Sequence, residues 1–215
     1  MAGTWFDAFR RSMNVLFTEE DFAAYSEMMK SELWWYEKYL RTGARILDVG
    51  CGLGCASVPL SREGYHLIGI DSDPKVIEAA RENGKRFGGT IEFLLMDAFD
   101  IDSSFGRDSF DACIHGGVLE HFSKEQIRIL VDKQLLVASL ILCSMPVRTR
   151  RTLKHFKVKR LGSAEVCVDG LHRNLWTRDQ WIGDILGGYR IAESRTSTAI
   201  HRIGDFDELL LVIKR

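Results

Sequence analysis

The chain has almost no net charge, no long apolar run and no paired cysteine framework, and each absence removes a class of function. Lys plus Arg total 29 against 30 Asp plus Glu, a net charge of −1, so no global field pulls the molecule toward nucleic acid or an anionic bilayer. Any such attraction must be local. No apolar stretch approaches the ~20 residues of a membrane span. The opening Met-Ala-Gly-Thr-Trp-Phe also lacks the basic-then-apolar pattern of a secretory signal, and a cytoplasmic, soluble protein without membrane contact is expected. The cysteines are an odd five, at 51, 55, 113, 143 and 167, which fits free thiols in a reducing compartment. Cys51 and Cys55 are not at zinc spacing and a second pair is missing, so no metal is expected.

With 46% hydrophobic residues over 215 positions, the chain suffices for one compact domain that buries roughly 70% of its unfolded surface. Apolar runs near 44–48, 66–70, 91–95, 110–115 and 139–144 alternate with amphipathic stretches, the pattern of a parallel α/β sheet. Ser123 with Gln126 and Thr177 with Gln180 form capping boxes, and Gly187-Gly188 closes the last helix. The runs 189–197 and 208–214 have no helix between them and read as a hairpin-like pair at one edge. Ahead of the first strand, Thr18 opens a helix whose face carries Phe22, Tyr25, Met29, Leu33, Tyr36 and Leu40. Its aromatic density suits packing against the sheet or a wall of a substrate pocket.

The most informative segment is an apolar strand ending at Asp48 and running into Gly50, Gly52 and Gly54. Alternating glycines let a backbone turn tightly and bring its amides against a ligand. A dinucleotide fingerprint would need its third glycine where Cys55 stands. The run reads Asp-x-Gly-x-Gly-x-Gly and resembles the first motif of the class I S-adenosylmethionine-dependent methyltransferases, in particular their small type 11-like domains. The second strand ends at Asp71, about twenty residues on, where a carboxylate accepts hydrogen bonds from ribose hydroxyls. Asp73 and Pro74 follow as N-cap and first helical residue.

Two further segments extend the resemblance in order and spacing over residues 44–122. Met96-Asp97-Ala98 is similar to the family segment whose acidic side chain meets the adenine amino group. His115-Gly116-Gly117 leads into Leu119-Glu120-His121, similar to the turn that passes beneath the methyl donor. The resemblance therefore implies a Rossmann-like sheet of seven strands, mostly parallel, with an antiparallel final strand and helices on both faces. It implies S-adenosylmethionine as cofactor, contacted by Asp48, Gly50, Cys51, Gly52, Gly54, Asp71, Ser72, Asp97, Ala98, His115 and Gly116. It also implies that N-terminal helices lie over the cofactor, so that Tyr25 or Tyr36 touches ligand.

The expected organisation is a single methyltransferase domain over 1–215: a helical cap at 1–42, a cofactor-binding core at 43–144, a basic insertion at 145–176 that caps the substrate, and closing elements at 177–215. Methyl transfer from a sulfonium is an in-line displacement needing mainly positioning. A general base helps where the acceptor carries a proton, and His121 and His172 are the candidates. His115 is expected to serve through its backbone. Arg148, Arg150, Arg151, Lys154, Lys157, Lys159 and Arg160 crowd the insertion. They form a solvated face, or they hold an anionic group, with Arg148 and Arg151 as candidate substrate contacts.

The expected reaction is methylation of an O, N, S or C atom on a small metabolite, neutral or anionic, by a monomer or homodimer. An RNA or protein methyltransferase using the basic 148–160 segment is the alternative, as is a non-catalytic cofactor-binding partner subunit. The Asn/Asp-Pro-Pro-aromatic turn of adenine amino methyltransferases is absent. Cys143 lacks the Pro-Cys companion of RNA cytosine-5 enzymes, and nucleic acid is not the favoured partner.

Overall fold

A computed structural model describes residues 5–161, 164–167, 171–199 and 205–215. Two helices precede the sheet, α1 (Trp5–Ser12) and α2 (Glu19–Tyr39). The second starts where the sequence predicts: the Thr18 hydroxyl accepts from the Asp21 amide and the Asp21 carboxylate accepts from the Thr18 amide, a reciprocal capping box. The first was not legible as a separate helix.

The strands are β1 (Arg45–Val49), β2 (His66–Asp71), β3 (Ile91–Leu95), β4 (Ala112–Gly116), β5 (Leu140–Pro146), β8 (Arg190–Ala199) and β9 (Phe206–Lys214), joined in one sheet of order β3-β2-β1-β4-β5-β9-β8. The first five run parallel, and β9 pairs antiparallel with both β5 and β8. The expected sheet, closing pair included, is the observed one. A separate two-stranded hairpin, β6 (Lys159–Leu161) and β7 (Ala164–Val166), lies in the basic insertion, which starts only after β5 has run on to Pro146.

Alternation along the strands splits the core between two faces. Ile46, Ile114, Leu142 and Val212 meet Met29, Trp35 and Tyr36 of α2 on one face, while Leu47, Cys113, Ile141 and Leu211 meet Ile127, Leu130 and Val131 on the other. Those last three belong to α6 (Lys124–Val137), opened by the predicted Ser123–Gln126 capping box. Helices α3 (Ser57–Arg62) and α4 (Pro74–Phe87) join α2 on the first face, and α5 (Ile101–Ser104) joins α6 on the second. Asp73 caps α4 through the amides of Lys75 and Val76, with Pro74 at its first turn. The helix predicted from Thr177 is a π-helical turn, Gln180–Ile185, in which the Leu186 amide reaches back to the Trp181 carbonyl. A short α7 (Arg150–His155) completes the set.

β1 leads to β2 on one side and β4 lies on the other, so the connections diverge between β1 and β4. In open α/β sheets the ligand crevice forms outside the strand ends at this point. Among the described residues, no helix is long and apolar enough to cross a membrane.

Candidate functional site

β1 places Asp48 at the sheet's carboxyl end and releases the chain into the glycine turn. Gly50, Gly52 and Gly54 all adopt left-handed backbone, with φ of +69°, +54° and +85°. Close neighbours add a second constraint. A Cβ on Gly50 would stand 2.7 Å from Val118 Cγ2, and one on Gly54 would stand 2.9 Å from Val58 Cγ2 and 3.0 Å from Phe93 Cζ. Gly50 therefore joins the turn after β1 to the loop after β4, the two walls of the crevice.

Asp48 does not reach into that crevice. It is buried, its Oδ2 accepts from the Ser57 hydroxyl at 2.5 Å, and burial pushes its carboxyl up to about 7 against the opposing help of Ser57. Asp71, at the tip of β2, is half-exposed: its Oδ2 accepts from the Gly52 amide at 3.2 Å and its Oδ1 from the Asp73 amide at 3.0 Å. The carboxylate thus braces the glycine turn at the edge of the crevice, and burial raises its pKa. Cys51 is buried between them, its amide bonded to Ile70. Ser72 is exposed. Asp97 is exposed and uses Oδ1 to cap the turn beginning at Ala98.

On the β4 side, Gly116 sits against Ser144 of β5, whose hydroxyl oxygen would be 3.1 Å from an added Cβ. His115 is buried, neither ring nitrogen has a hydrogen-bond partner, and burial lowers its pKa to about 3. Its imidazole is a neutral core group, as a backbone role requires.

His121 is brought together with His172, but through main chain. The His121 Nδ1 donates to the His172 carbonyl at 2.5 Å, which fixes the tautomer and turns Nε2 toward Glu120 Oε1 at 3.7 Å. The His172 side chain itself is exposed. Asn174 completes the docking of this segment onto the turn after β4, its amide donating to Glu120 O and its Nδ2 to Phe122 O, both at 2.7 Å.

Helix α1 crosses the crevice. The Phe6 amide donates to Asp73 Oδ2 at 3.1 Å, the Phe9 ring lies where a Gly52 Cβ would be 3.0 Å away, and the Trp5 ring meets His121 edge-on at 4.7 Å. Tyr25 of α2 packs on Phe17 at 4.9 Å and bonds Cys55 behind the glycine turn. Tyr36 is buried among Glu32, Asp48 and Glu208, and burial followed by these charges raises its pKa strongly. Arg151 is engaged at the surface, donating to Thr198 Oγ1 at 2.7 Å and Asp207 Oδ1 at 3.1 Å. Arg148 is exposed, and its amide bonds the Trp176 carbonyl.

Three groups near this turn escaped the sequence reading as site residues. Glu120 is buried, Ser144 lies beside Gly116 through the β4–β5 pairing, and Glu208 of β9 is buried. No spacing rule could join residues this far apart. Among the described residues no three His, Cys, Asp or Glu side chains form a metal-holding group.

Residues 46–136 match a family model described as a methyltransferase domain. A ubiquinone biosynthesis O-methyltransferase from Cereibacter sphaeroides is 33% identical over 122 residues, 56% of this chain and 47% of that protein. The chain thus spans about half the length of the curated relatives it matches. Magnesium protoporphyrin IX methyltransferase from Synechocystis, solved with S-adenosylhomocysteine, superposes with a TM-score of 0.68 at 22% identity, covering 100% of this chain and 95% of that one. A methyltransferase from Burkholderia thailandensis that acts on 1,6-didemethyltoxoflavin superposes with a TM-score of 0.61 at 14% identity, covering 92% and 79%. The sheet order, the glycine turn against Asp71 and the domain matched over residues 46–136 agree with the resemblance to the class I S-adenosylmethionine-dependent methyltransferases.

Proposed function

We propose that this protein transfers the methyl group of S-adenosylmethionine to a small molecule held at the carboxyl ends of β4, β5 and β9. The observation that carries the reading is the left-handed turn Gly50–Gly52–Gly54 held directly against the Asp71 carboxylate. Side chains at these glycines would strain the left-handed backbone and run into Val118, Phe9, Val58 and Phe93, so the tight turn at the strand end needs glycine.

The residues fit the cofactor. Asp71 stands where ribose hydroxyls are received, Asp97 and Ala98 border the adenine side, and Gly116 leaves room beside the methionine portion. When bound, the sulfonium supplies an activated methyl carbon, and the chain's share of the work is to align an acceptor with it and exclude water. Trp5, Phe6 and Phe9 of α1 supply the exclusion. Small-molecule acceptors suit a crevice roofed by one two-turn helix, and the curated relatives named as ubiquinone biosynthesis O-methyltransferases support that size class. The basic residues of α7 follow the carboxyl end of β5, where exposed Arg150 would meet an anionic part of an acceptor.

Calorimetry tests the reading. S-adenosylmethionine and S-adenosylhomocysteine are expected to bind and NAD is not. Binding of NAD alone overturns the assignment, and cofactor binding without methyl release to any acceptor fraction favours a non-catalytic subunit.

A further inference from the structure

The loop after β4 holds a buried carboxylate with an oxygen that nothing in the fold satisfies. Glu120 is 2% exposed, and its Oε2 lacks a hydrogen-bond partner. Leaving such an oxygen unpaired is unfavourable, and Glu120 is the carboxylate among the buried groups left so, at the strand end where an acceptor would be held.

The surroundings say which kind of group. Glu120 Oε1 lies 3.4 Å from the position of a Cβ on Gly117, so the carboxylate folds back over the two glycines at the end of β4. Ser144 stands on the far side of Gly116, and Glu208 is bonded to it. The charged and titratable groups that act on Glu120 are Glu208 from β9, Arg173 from the segment docked on this loop, and His121 beside it at 3.7 Å. Arg173 is stacked on the Phe156 ring at 4.5 Å, so part of its charge is directed elsewhere. Around Gly116 and Gly117 the chain therefore gathers the acceptor oxygens of Ser144 and Glu120. An acid would be repelled there, whereas an N–H or O–H donor would be held.

Resting on the methyl-transfer reading above, we propose that Glu120 is the acceptor-facing carboxylate of the site: it binds the amine or hydroxyl that becomes methylated and takes up the proton released. In that step the lone pair of the acceptor nitrogen or oxygen attacks the methyl carbon, forming the new bond as the carbon–sulfur pair returns to sulfur. The proton of the acceptor passes to Glu120, and no oxidant or reductant is needed. Any anionic part of the substrate then points outward, toward the basic residues of α7.

Sinefungin tests this without knowledge of the acceptor, because it carries an ammonium group where the methyl donor carries its sulfonium methyl. Calorimetry at pH 8 compares it with S-adenosylhomocysteine on the intact protein and on Glu120→Gln. The intact protein is expected to prefer sinefungin by about tenfold, the scale of one charge-assisted contact. Glu120→Gln should bring that preference below about twofold with S-adenosylhomocysteine affinity held within about threefold. The same preference should vanish in the intact protein at pH 5.5, since burial pushes the Glu120 carboxyl up to about 7, and this arm needs no variant to fold. Equal affinities in the intact protein at pH 8, or a preference that survives Glu120→Gln, overturn the proposal. Failure of both ligands to bind the intact protein overturns the cofactor reading instead, and this one with it.

Discussion

The carboxamide of Asn83, wholly buried on α4, donates to the carbonyl of Leu53 at 3.0 Å inside the glycine turn. The same side chain donates to Val15 O at 3.0 Å and accepts from the Phe17 amide at 2.8 Å. One residue thus fastens the cofactor turn to the strap between α1 and α2, and Arg86 adds a bond to Phe17 O at 2.9 Å. Replacing Asn83 by Ala strands three buried backbone groups, at about 1 kcal/mol or more for each. A loss of about 2–4 kcal/mol and a fall in melting temperature of about 5–10 °C are expected. A thermal midpoint within about 2 °C of the parent would show that water replaces the carboxamide without penalty.

The glycines of the turn are not equivalent to glycines elsewhere in the chain. Gly54 has φ of +85° and would put a Cβ 2.9 Å from Val58 Cγ2, whereas a Cβ on Gly183, in the π-helical turn, meets nothing within 4 Å. Gly54→Ala should therefore lower stability by about 1–3 kcal/mol, combining backbone strain with overpacking. Gly183→Ala should be neutral or stabilise by up to about 1 kcal/mol. Denaturant titrations of the pair decide the matter, and equal midpoints would remove the conformational reason for the glycine pattern.

Burial pushes both Asp48 and Glu208 up to about 7, so the folded protein holds protons that the unfolded chain has released above about pH 4. Their stabilising protonation is complete in acid and lost as pH rises through about 7. His115 acts oppositely: its pKa is lowered to about 3, so the folded state loses stability as pH falls below the ordinary histidine range. Glu120, also pushed up to about 7, adds to these two carboxyls and together they outweigh His115, so a stability maximum at about pH 4 and a decline that is complete at about pH 7 follow. Glu208→Gln removes one contributor to that decline and should be more stable than the parent at pH 8 by about 1–2 kcal/mol, with little difference at pH 5. Melting curves at the two pH values check this. A variant that is less stable at both would mean that the Ser144 bond outweighs the cost of burying the charge.

How much of this was legible in the sequence depended on whether the constraint was local. Asp48, the three glycines, Asp71, Asp73 and Pro74 are fixed by neighbours a few positions away, and each stands where periodicity and turn chemistry put it. The capping boxes at Thr18 and Ser123 are equally local. Ser144 comes beside the Gly116 turn because β5 pairs with β4, and Glu208 joins them because β9 inserts between β5 and β8, choices that no pattern within one segment encodes. The same holds for Asn83, which reads as one more polar residue on a helix until its three backbone partners are in place. His172 drew attention for its side chain, and in the structure its carbonyl is the group that orients His121.

The roof of the crevice yields the last prediction. Trp5 and Phe9 lie on one helix, reaching His121 on the β4 side and Gly52 on the β1 side, while the Phe6 amide is moored to Asp73. A helix of eight residues is too short to persist alone, so α1 depends on tertiary contacts such as these to hold its place over the crevice. Truncating the two aromatic rings in Trp5→Ala/Phe9→Ala should leave the core intact and change the melting temperature by less than about 3 °C. The dissociation rate of S-adenosylhomocysteine, followed by stopped-flow displacement, should rise about tenfold or more, with the association rate little changed. His172→Ala, which keeps the carbonyl on His121, should alter neither rate, whereas His121→Ala should raise dissociation as the ring truncations do. Dissociation unchanged in the double variant would mean that α1 packs on the crevice without closing it.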